Sequence, residues 1–110
     1  MQPFYSIDEI RKQITSRRPY AEFLRVASMS CGVYVLQPGE EDRQQPHHED
    51  EIYYVVRGTA RMTIVMEIQP EQDRAIAQGE VIFVKAREEH RFHSVTQELV
   101  LLVVFAPAMT

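Results

Sequence analysis

Residues 46–58 read PHHEDEIYYVVRG, a stretch in which polar and acidic residues run directly into tyrosine and valine. Successive side chains of a β-strand point to opposite faces of the sheet. Glu51, Tyr53 and Val55 therefore share one face of the predicted strand, while Ile52 and Tyr54 share the other. A carboxylate among buried apolar side chains is costly unless it is paired or bound to a cation. Periodicity alone leaves two interpretations of the acidic residues, a solvated turn or half of a metal site.

The size and charge of the chain limit the class of protein. Its 110 residues suit one domain, and its formal net charge is −4. It has no long run of lysine or arginine of the kind that binds nucleic acid or anionic membranes. The start lacks the apolar stretch of a signal peptide, and no segment approaches the length of a bilayer-spanning helix. We therefore expect a cytoplasmic protein whose partners are small molecules or proteins, rather than nucleic acid or membrane.

A short helix is predicted at the N-terminus. Ser6 and Glu9 have the spacing of a capping box, and Ile10 and Ile14 lie on one helical face. Pro19 ends any such helix, because proline lacks the backbone N–H that a helix interior needs. After it the pattern changes to short β-branched and aromatic segments separated by turn residues.

The domain organisation follows from this change of pattern. We expect residues 1–20 to form a helix and linker packed on one β domain, formed by residues 21–110. About eight short strands in so short a chain predict an all-β sandwich or small barrel. The predicted strands are residues 22–27, 31–37, 51–57, 60–68, 74–77, 80–86, 90–95 and 99–106.

Strand periodicity also predicts the core. Met62, Ile64 and Ile68 share one face of the fourth predicted strand, which we expect to be the dry face. Ile64 and Phe83 are predicted core residues without a role in the site. Residues 99–105 read LVLLVVF, without alternation, so both faces of this strand should be covered, by the N-terminal helix or by a second subunit.

The four histidines of the chain fall in two places. His47 and His48 precede the strand described first, and His90 and His93 lie in the segment EEHRFHS. Each pair stands at the edge of an apolar strand, where imidazoles can project into the mouth of a barrel. Imidazole together with carboxylate suits zinc, iron, manganese or nickel.

Residues 39–58 resemble the first signature of the cupin superfamily. That signature has a glycine, a His-x-His pair, a glutamate and a second glycine, and Gly39, Glu51 and Gly58 match it. His47 falls where the second histidine of the pair belongs. Gln45 falls where the first histidine belongs, which is a departure from the family.

The second cupin signature also resembles a segment of this chain. Gly79 and His90 match its first glycine and its histidine. Lys85 and Arg87 replace its proline and second glycine, and Ser94 stands where an asparagine often lies. With both signatures in order, the resemblance extends over about residues 25–106. It implies a small jelly-roll β-barrel, which the helix predicted above would precede.

The resemblance implies a divalent metal ion, Fe, Mn, Ni or Zn, held by His47, Glu51 and His90. Gln45 is the expected fourth ligand, as a neutral oxygen donor, unless water takes its place. His48 is the alternative, although its parity directs it away from the site unless the backbone bulges. Two histidines and one carboxylate are the facial set of non-haem iron enzymes, which leaves positions open for water, oxygen or substrate.

Tyr53 and Met62 are the candidates for lining a substrate pocket, and a buried core role for Tyr53 fits its sequence position equally well. Gly39, Gly58 and Gly79 are expected at turns, with structural roles. The resemblance allows a metal-dependent oxygenase, lyase or isomerase acting on a small molecule. The alternative is a non-catalytic small-molecule-binding or sensor protein, with or without metal, because cupins with intact ligands differ in function.

A homodimer is the expected assembly. Ile52, Tyr54 and Val56 are predicted to face outward, and residues 99–105 are apolar throughout. A small barrel that exposed both would carry a larger apolar patch than monomers usually tolerate. We therefore predict a two-fold dimer.

Overall fold

The computed structural model describes residues 2–110. One short helix precedes six strands in an antiparallel arrangement. The elements are α1 (Ile7–Arg11), β1 (Tyr20–Val26), β2 (Met29–Leu36), β3 (Asp50–Val65), β4 (Gln72–Ala77), β5 (Val81–Val84) and β6 (Glu89–Ala106). This confirms the all-β class and the short N-terminal helix. Among the residues described, no helix is both long and apolar enough to cross a bilayer.

Two long strands, β3 and β6, build the jelly roll because each contributes one half to each of two parts of a six-stranded sheet, which we call the first and second sheets. The first half of β3 pairs with β5 on one side and with the second half of β6 on the other. The second half of β3 pairs with β4 and with the first half of β6. Strands β2 and β1 extend the first sheet beyond β6. Within residues 2–110 the strand order β1-β2-β6-β3-β4 leaves β1 and β4 at the edges, and β5 pairs with β3 alone, so the hydrogen-bonded sheet does not close completely.

The long strands bend where the sequence predicted strand ends. Gly58 lies within β3 at φ +100°, and the pairing of β3 with β6 shifts register three times between Val55 and Arg61. The polar residues 96–98 likewise lie inside β6. Eight predicted strands therefore become six, because an irregularity within a strand uses the same residue types as a turn between strands.

The N-terminal segment covers part of the outer face of the first sheet. Ser6 caps α1 by accepting a hydrogen bond from the backbone N–H of Glu9 (3.3 Å). The helix ends at Arg11, well before Pro19. Ile10 and Ile14 are buried in a cluster with residues of β2 and β6, which are Val33, Val35 and Val100. The N-terminal segment thus covers Val100, one of the outward-facing residues of the 99–105 segment. The division of the chain at residue 20 stays a prediction.

The two core predictions have different outcomes. Ile64 is 8% exposed and belongs to the main core cluster, as predicted. The prediction for Phe83 is wrong, because its side chain is 58% exposed. Phe83 lies on β5, which pairs only with β3, and it points to the outer face opposite the exposed Ile52. Ile68 is also exposed, since β3 ends at Val65 and the alternation stops there.

After β6, residues 107–110 turn back across the barrel. The backbone N–H of Met109 donates to Ser30 Oγ (2.9 Å), and Arg25 donates to the carbonyl oxygen of Met109 (2.7 Å). The backbone N–H and hydroxyl of Thr110 both donate to Glu49 Oε2, at 3.2 and 3.0 Å. Side-chain hydrogen bonds, rather than sheet pairing, therefore hold this segment in place.

Candidate metal centre

His47, Glu51 and His90 form one cluster, in which a ligand atom from each residue lies within 4.8 Å of the others. Glu51 is on β3, one residue after the strand begins, and His90 is on β6. His47 lies in the loop before β3. Its ring packs edge-on against Phe105, with a centroid distance of 4.9 Å, which fixes the direction of the imidazole. The three residues that the resemblance implied as charged or nitrogen ligands thus meet at one point.

The Glu51 carboxylate is buried beside His90 and accepts no well-aligned hydrogen bond. Glu51 is 2% exposed, and neither carboxylate oxygen accepts a hydrogen bond. Its Oε1 lies 3.0 Å from His90 Nε2, without hydrogen-bonding geometry. Burying a carboxylate without well-aligned donors is unfavourable, at a cost on the order of several kcal/mol. A cation between the two atoms would remove this penalty.

The hydrogen bonds of His90 leave its Nε2 lone pair free for a ligand. His90 Nδ1 lies 2.9 Å from the backbone carbonyl oxygen of Glu88, which can only accept. Nδ1 therefore carries the proton and donates. This is the usual arrangement of a metal-binding histidine, in which the second nitrogen is held by a hydrogen bond that fixes the tautomer and the ring.

A chain of hydrogen bonds fixes the proton of Tyr53 as well. Gln44 donates its amide N–H to Asp42 Oδ2 (2.8 Å), so its Oε1 faces the opposite way. The Tyr53 hydroxyl donates to that oxygen (2.7 Å). The lone pairs of the Tyr53 oxygen then lie 3.0 Å from His90 Nε2. Oxygen atoms of Glu51 and Tyr53 therefore both lie 3.0 Å from His90 Nε2.

The pKa values agree that the site favours positive charge. Burial alone lowers the pKa of His90, but the contact with Glu51 and the hydrogen bond to Glu88 outweigh it and raise that pKa above its usual value. Burial, and next the Glu51 carboxylate, raise the pKa of Tyr53 well above its usual value. Tyr53 is therefore a protonated phenol at physiological pH, while the space beside Glu51 attracts a proton or a metal ion.

The other predicted ligands lie elsewhere. Gln45 is exposed, in a groove that it lines with residues of the 91–95 segment. His48 is exposed too. His93 Nε2 lies 2.9 Å from Asp73 Oδ2, away from the cluster. Gln45 as the fourth ligand stays a prediction that this geometry does not support. The parity argument assumed a strand, but β3 begins only at Asp50, and a loop does not alternate.

The two motif segments are joined at the backbone. The N–H of Arg87 donates to the carbonyl oxygen of His47 (2.6 Å). Arg87 has φ +69°, a conformation that glycine adopts more easily, and it occupies the position of the second glycine in the cupin signature. Arg87 thus keeps the backbone function of the missing glycine.

A cavity of about 190 Å³ adjoins the cluster. Its lining residues come from four strands, the loop before β3 and the C-terminal segment; they are Tyr20, Tyr34, Gln44, His47, Tyr53, Val103, Phe105 and Met109. Larger depressions of about 810, 640 and 520 Å³ lie along the loops and contain none of the three clustered residues. Tyr53 lines this cavity, and its role in a substrate pocket stays a prediction. Met62 is a core residue, 2% exposed, and is not part of the lining.

Sequence reasoning missed Gln44 and Tyr20. Gln44 stands next to the predicted Gln45, and a one-residue difference inside a loop leaves no periodic signal. Tyr20 reads as an ordinary strand residue. The sequence feature that could have indicated its position is Gly32, a glycine among large apolar residues of the next strand, because glycine within a strand often marks the close approach of a neighbouring group.

Comparison with known proteins identifies the family. The sequence model of the cupin domain matches residues 32–105. The chain belongs to the cupin family. An uncharacterized protein of Streptomyces coelicolor is 38% identical to this cupin over 104 residues, which is 94% of each chain.

Solved structures agree with this fold. A conserved Klebsiella pneumoniae protein with a double-stranded β-helix domain superposes with a TM-score of 0.76 at 19% identity, over 97% of this cupin and 91% of that chain. A variant of Bacillus subtilis oxalate decarboxylase superposes with a TM-score of 0.69 at 23% identity, over 74% of this cupin. The match spans only 22% of the oxalate decarboxylase chain. At these identities the likeness concerns the fold alone.

Proposed function

We propose that this cupin binds a divalent metal ion through His47, Glu51 and His90 and acts on a small molecule held in the adjoining cavity. The observation that carries the proposal is the Glu51 carboxylate, 2% exposed, with no hydrogen-bond donor to either oxygen. A buried carboxylate of this kind is stable where a bound cation balances its negative charge.

The donor set suits the metal ions expected from the sequence. Two imidazoles and one carboxylate bind iron, manganese, nickel or zinc, and all four are within the proposal. Manganese has support from a structural relative, since B. subtilis oxalate decarboxylase has Mn(II) centres. Iron has support from the facial arrangement of two histidines and one carboxylate, which is typical of non-haem oxygenases.

The reaction class that we favour is an oxygenase, with a lyase or isomerase as the alternative within the same site. A bound metal with open positions supplies Lewis acidity and a place for oxygen or substrate. His90 is oriented for binding by the Glu88 carbonyl group. Tyr53 is held by Gln44 beside the metal position, so its hydroxyl can contact the reacting group. The buried side chains around them keep bulk water away from the centre.

Elemental analysis of protein purified without chelator tests this proposal. We expect about one metal ion per chain in the wild type, and loss of most of it in His47→Ala, Glu51→Ala and His90→Ala. His48→Ala and His93→Ala are matched controls, since both remove a histidine that lies outside the cluster.

Two results contradict the proposal. A wild-type protein that is metal-free after such purification, and that takes up none on dialysis against Mn²⁺ or Fe²⁺, refutes a metal centre. If His48→Ala empties the site and His47→Ala does not, the register of the loop before β3 is wrong. Gln45→Ala is measured in the same series, and loss of metal there supports it as the fourth ligand.

A non-catalytic binding protein is the second candidate function. It has support from the cavity, whose lining includes no aspartate, glutamate, lysine or arginine to serve as an acid or base beside the metal. The two candidates differ in turnover. An enzyme consumes oxygen or converts its ligand in the metal-loaded form, whereas a sensor releases the ligand unchanged.

We also propose that a second copy of the chain covers the exposed apolar face of β3 and β5. Ile52 pairs directly with Phe83, and Tyr54 with Val81, so these four exposed side chains lie together on one face. A two-fold axis brings such a patch onto itself. We expect a dimer at micromolar concentration by sedimentation and a monomer for Phe83→Glu. Val65→Glu, at an exposed apolar position elsewhere on β3, is the matched control. A monomeric wild type refutes the proposal.

A further inference from the structure

One carboxylate joins the loop between β2 and β3 to the barrel. Asp42 Oδ1 accepts a hydrogen bond from the hydroxyl of Tyr34 on β2 (2.7 Å). Asp42 Oδ2 accepts one from the backbone N–H of Phe92 on β6 (2.8 Å). Hydrogen bonds to an ionised acceptor are stronger than those between neutral groups. Because both strands belong to the barrel wall, Asp42 has a fixed position from which it can orient other side chains of the loop.

The same carboxylate determines which way the Gln44 amide points. The side-chain N–H of Gln44 donates to Asp42 Oδ2 (2.8 Å), and its backbone N–H donates to Asp42 Oδ1 (3.3 Å). An ionised carboxylate can only accept, so the NH2 group of Gln44 faces Asp42 and the Oε1 atom faces away from it. Gln44 therefore presents an acceptor, and no donor, to the Tyr53 hydroxyl, which lies 2.7 Å from Oε1.

This acceptor sets the direction of the Tyr53 proton. Tyr53 is 1% exposed, and its oxygen lies between Gln44 Oε1 at 2.7 Å and His90 Nε2 at 3.0 Å. A phenol has a single proton, so it donates to one of these two atoms and not to both. With the proton on the side of Gln44, the lone pair of His90 Nε2 stays available to a metal ion.

We propose that Gln44 is a positioning residue of the metal centre, which holds the Tyr53 proton away from His90 Nε2 and is itself oriented by Asp42. Without the Gln44 oxygen, the Tyr53 hydroxyl donates to His90 Nε2, because a buried donor without an acceptor is unfavourable. A metal ion must then break this hydrogen bond before it binds His90. The inference rests on the proposed function only for the metal, since the direction of the Tyr53 proton is also a property of the metal-free protein.

Metal affinity in a double-mutant cycle tests the route through Tyr53. Gln44→Leu removes the acceptor at a similar side-chain size, while Asp42 keeps its hydrogen bonds from Tyr34 and Phe92. We expect it to weaken Mn²⁺ binding about three- to tenfold, the factor that one hydrogen bond supplies. In the Tyr53→Phe background the same change should have no effect, because no hydroxyl proton remains to turn. Titration with Mn²⁺, with the free ion followed by EPR, gives each dissociation constant.

Two variants of Asp42 test its control over Gln44. In Asp42→Asn the side-chain oxygen must face the Phe92 N–H, which can only donate, so the same oxygen still accepts from Gln44. The Tyr34 hydroxyl can turn to accept from the new amide. Asp42→Asn should therefore bind Mn²⁺ as the wild type does, whereas Asp42→Ala should weaken binding at least as much as Gln44→Leu. Equal weakening in both variants of Asp42 would contradict this control.

NMR of metal-free protein with nitrogen-15-labelled histidine reports the same proton directly. At alkaline pH the imidazole is neutral, and the wild-type Nε2 signal of His90 should be that of a nitrogen that accepts no hydrogen bond. Gln44→Leu should shift this signal towards that of a hydrogen-bonded acceptor. Adding Tyr53→Phe to that variant should restore the wild-type signal. The His93 signals are the internal control, since His93 lies outside the cluster and should not respond.

The two measurements separate this inference from the metal centre. If the wild type binds no Mn²⁺ but the His90 signal shifts as expected, the proposed metal function fails and the role of Gln44 towards Tyr53 stands. If the wild type binds Mn²⁺ and Gln44→Leu leaves the His90 signal unchanged, the inference alone is refuted. Equal weakening of Mn²⁺ binding by Gln44→Leu with and without the Tyr53 hydroxyl also refutes it, because Gln44 would then act on the loop rather than through Tyr53.

Discussion

Replacement of Gly58 by alanine should destabilise the protein far more than the same change at Gly79. Both glycines have similar positive φ angles, +100° and +94°. A Cβ at Gly79 meets nothing within 4 Å. A Cβ at Gly58 would collide with the carbonyl oxygen of Glu98 and lie 2.8 Å from the Cα of Leu99. These are backbone atoms of β6, which cannot rotate away as a side chain can.

The two costs can be separated. A left-handed conformation costs a residue other than glycine about 1–2 kcal/mol, and both variants bear this cost. Overpacking against a fixed neighbour costs about 1–3 kcal/mol more, and only Gly58→Ala bears it. We therefore expect a loss of about 1–2 kcal/mol for Gly79→Ala and about 2–5 kcal/mol for Gly58→Ala. The second value is a large part of the about 5–15 kcal/mol that stabilises a typical domain.

Urea unfolding followed by far-UV circular dichroism measures both free energies of unfolding. The chain has no tryptophan, so the backbone signal is preferable to fluorescence. Equal losses in the two variants, within about 0.5 kcal/mol, would refute the reasoning, because the close approach of β3 to β6 at Gly58 would then carry no cost.

Two further changes have definite expected outcomes. Hydrogen bonds from Arg11 and then Arg57, opposed by burial, lower the pKa of Glu98 to about 2 in the folded protein. The ionised Glu98 side chain therefore stabilises the fold above about pH 4.5, and this contribution is lost as the pH falls towards 2. Glu98→Gln should lower the free energy of unfolding by about 1 kcal/mol at pH 7 and leave it unchanged near pH 2, as measured by urea unfolding. An equal loss at both pH values would contradict the lowered pKa of Glu98. Ile64→Ala should lower the free energy of unfolding by about 2–5 kcal/mol, whereas Phe83→Ala, at an exposed position, should lower it by under about 1 kcal/mol in the monomer. If thermal unfolding gave the reverse order, the placement of Ile64 in the core and of Phe83 on the outer face would be wrong.

The strand that carries Glu51 could be predicted because its pattern is strict. Glu51, Tyr53 and Val55 are buried, while Ile52 and Tyr54 are exposed, as alternation requires. The family resemblance supplied His90, which lies far away in sequence and which periodicity cannot connect with Glu51.

Three features could not be predicted, for different physical reasons. The direction of Gln45 depends on a loop, in which no repeat relates one side chain to the next. The exposure of Phe83 depends on which face of an edge strand has a neighbour, and hydrophobicity does not distinguish a core from an interface. Tyr20, which lines the cavity, lies across Gly32, and this contact between strands is not encoded in local sequence.

The C-terminal segment gives the cavity a wall whose stability differs from that of the barrel. Met109 lines the cavity, yet residues 109–110 are held without a strand beside them, by hydrogen bonds that they donate to Ser30 and Glu49 and by one that Arg25 donates to Met109. Such a segment opens at a free energy well below that of global unfolding. Opening of this cavity wall and global unfolding of the barrel therefore depend on separate contacts. Faster amide hydrogen exchange at Met109 than at Val103 would report this difference directly.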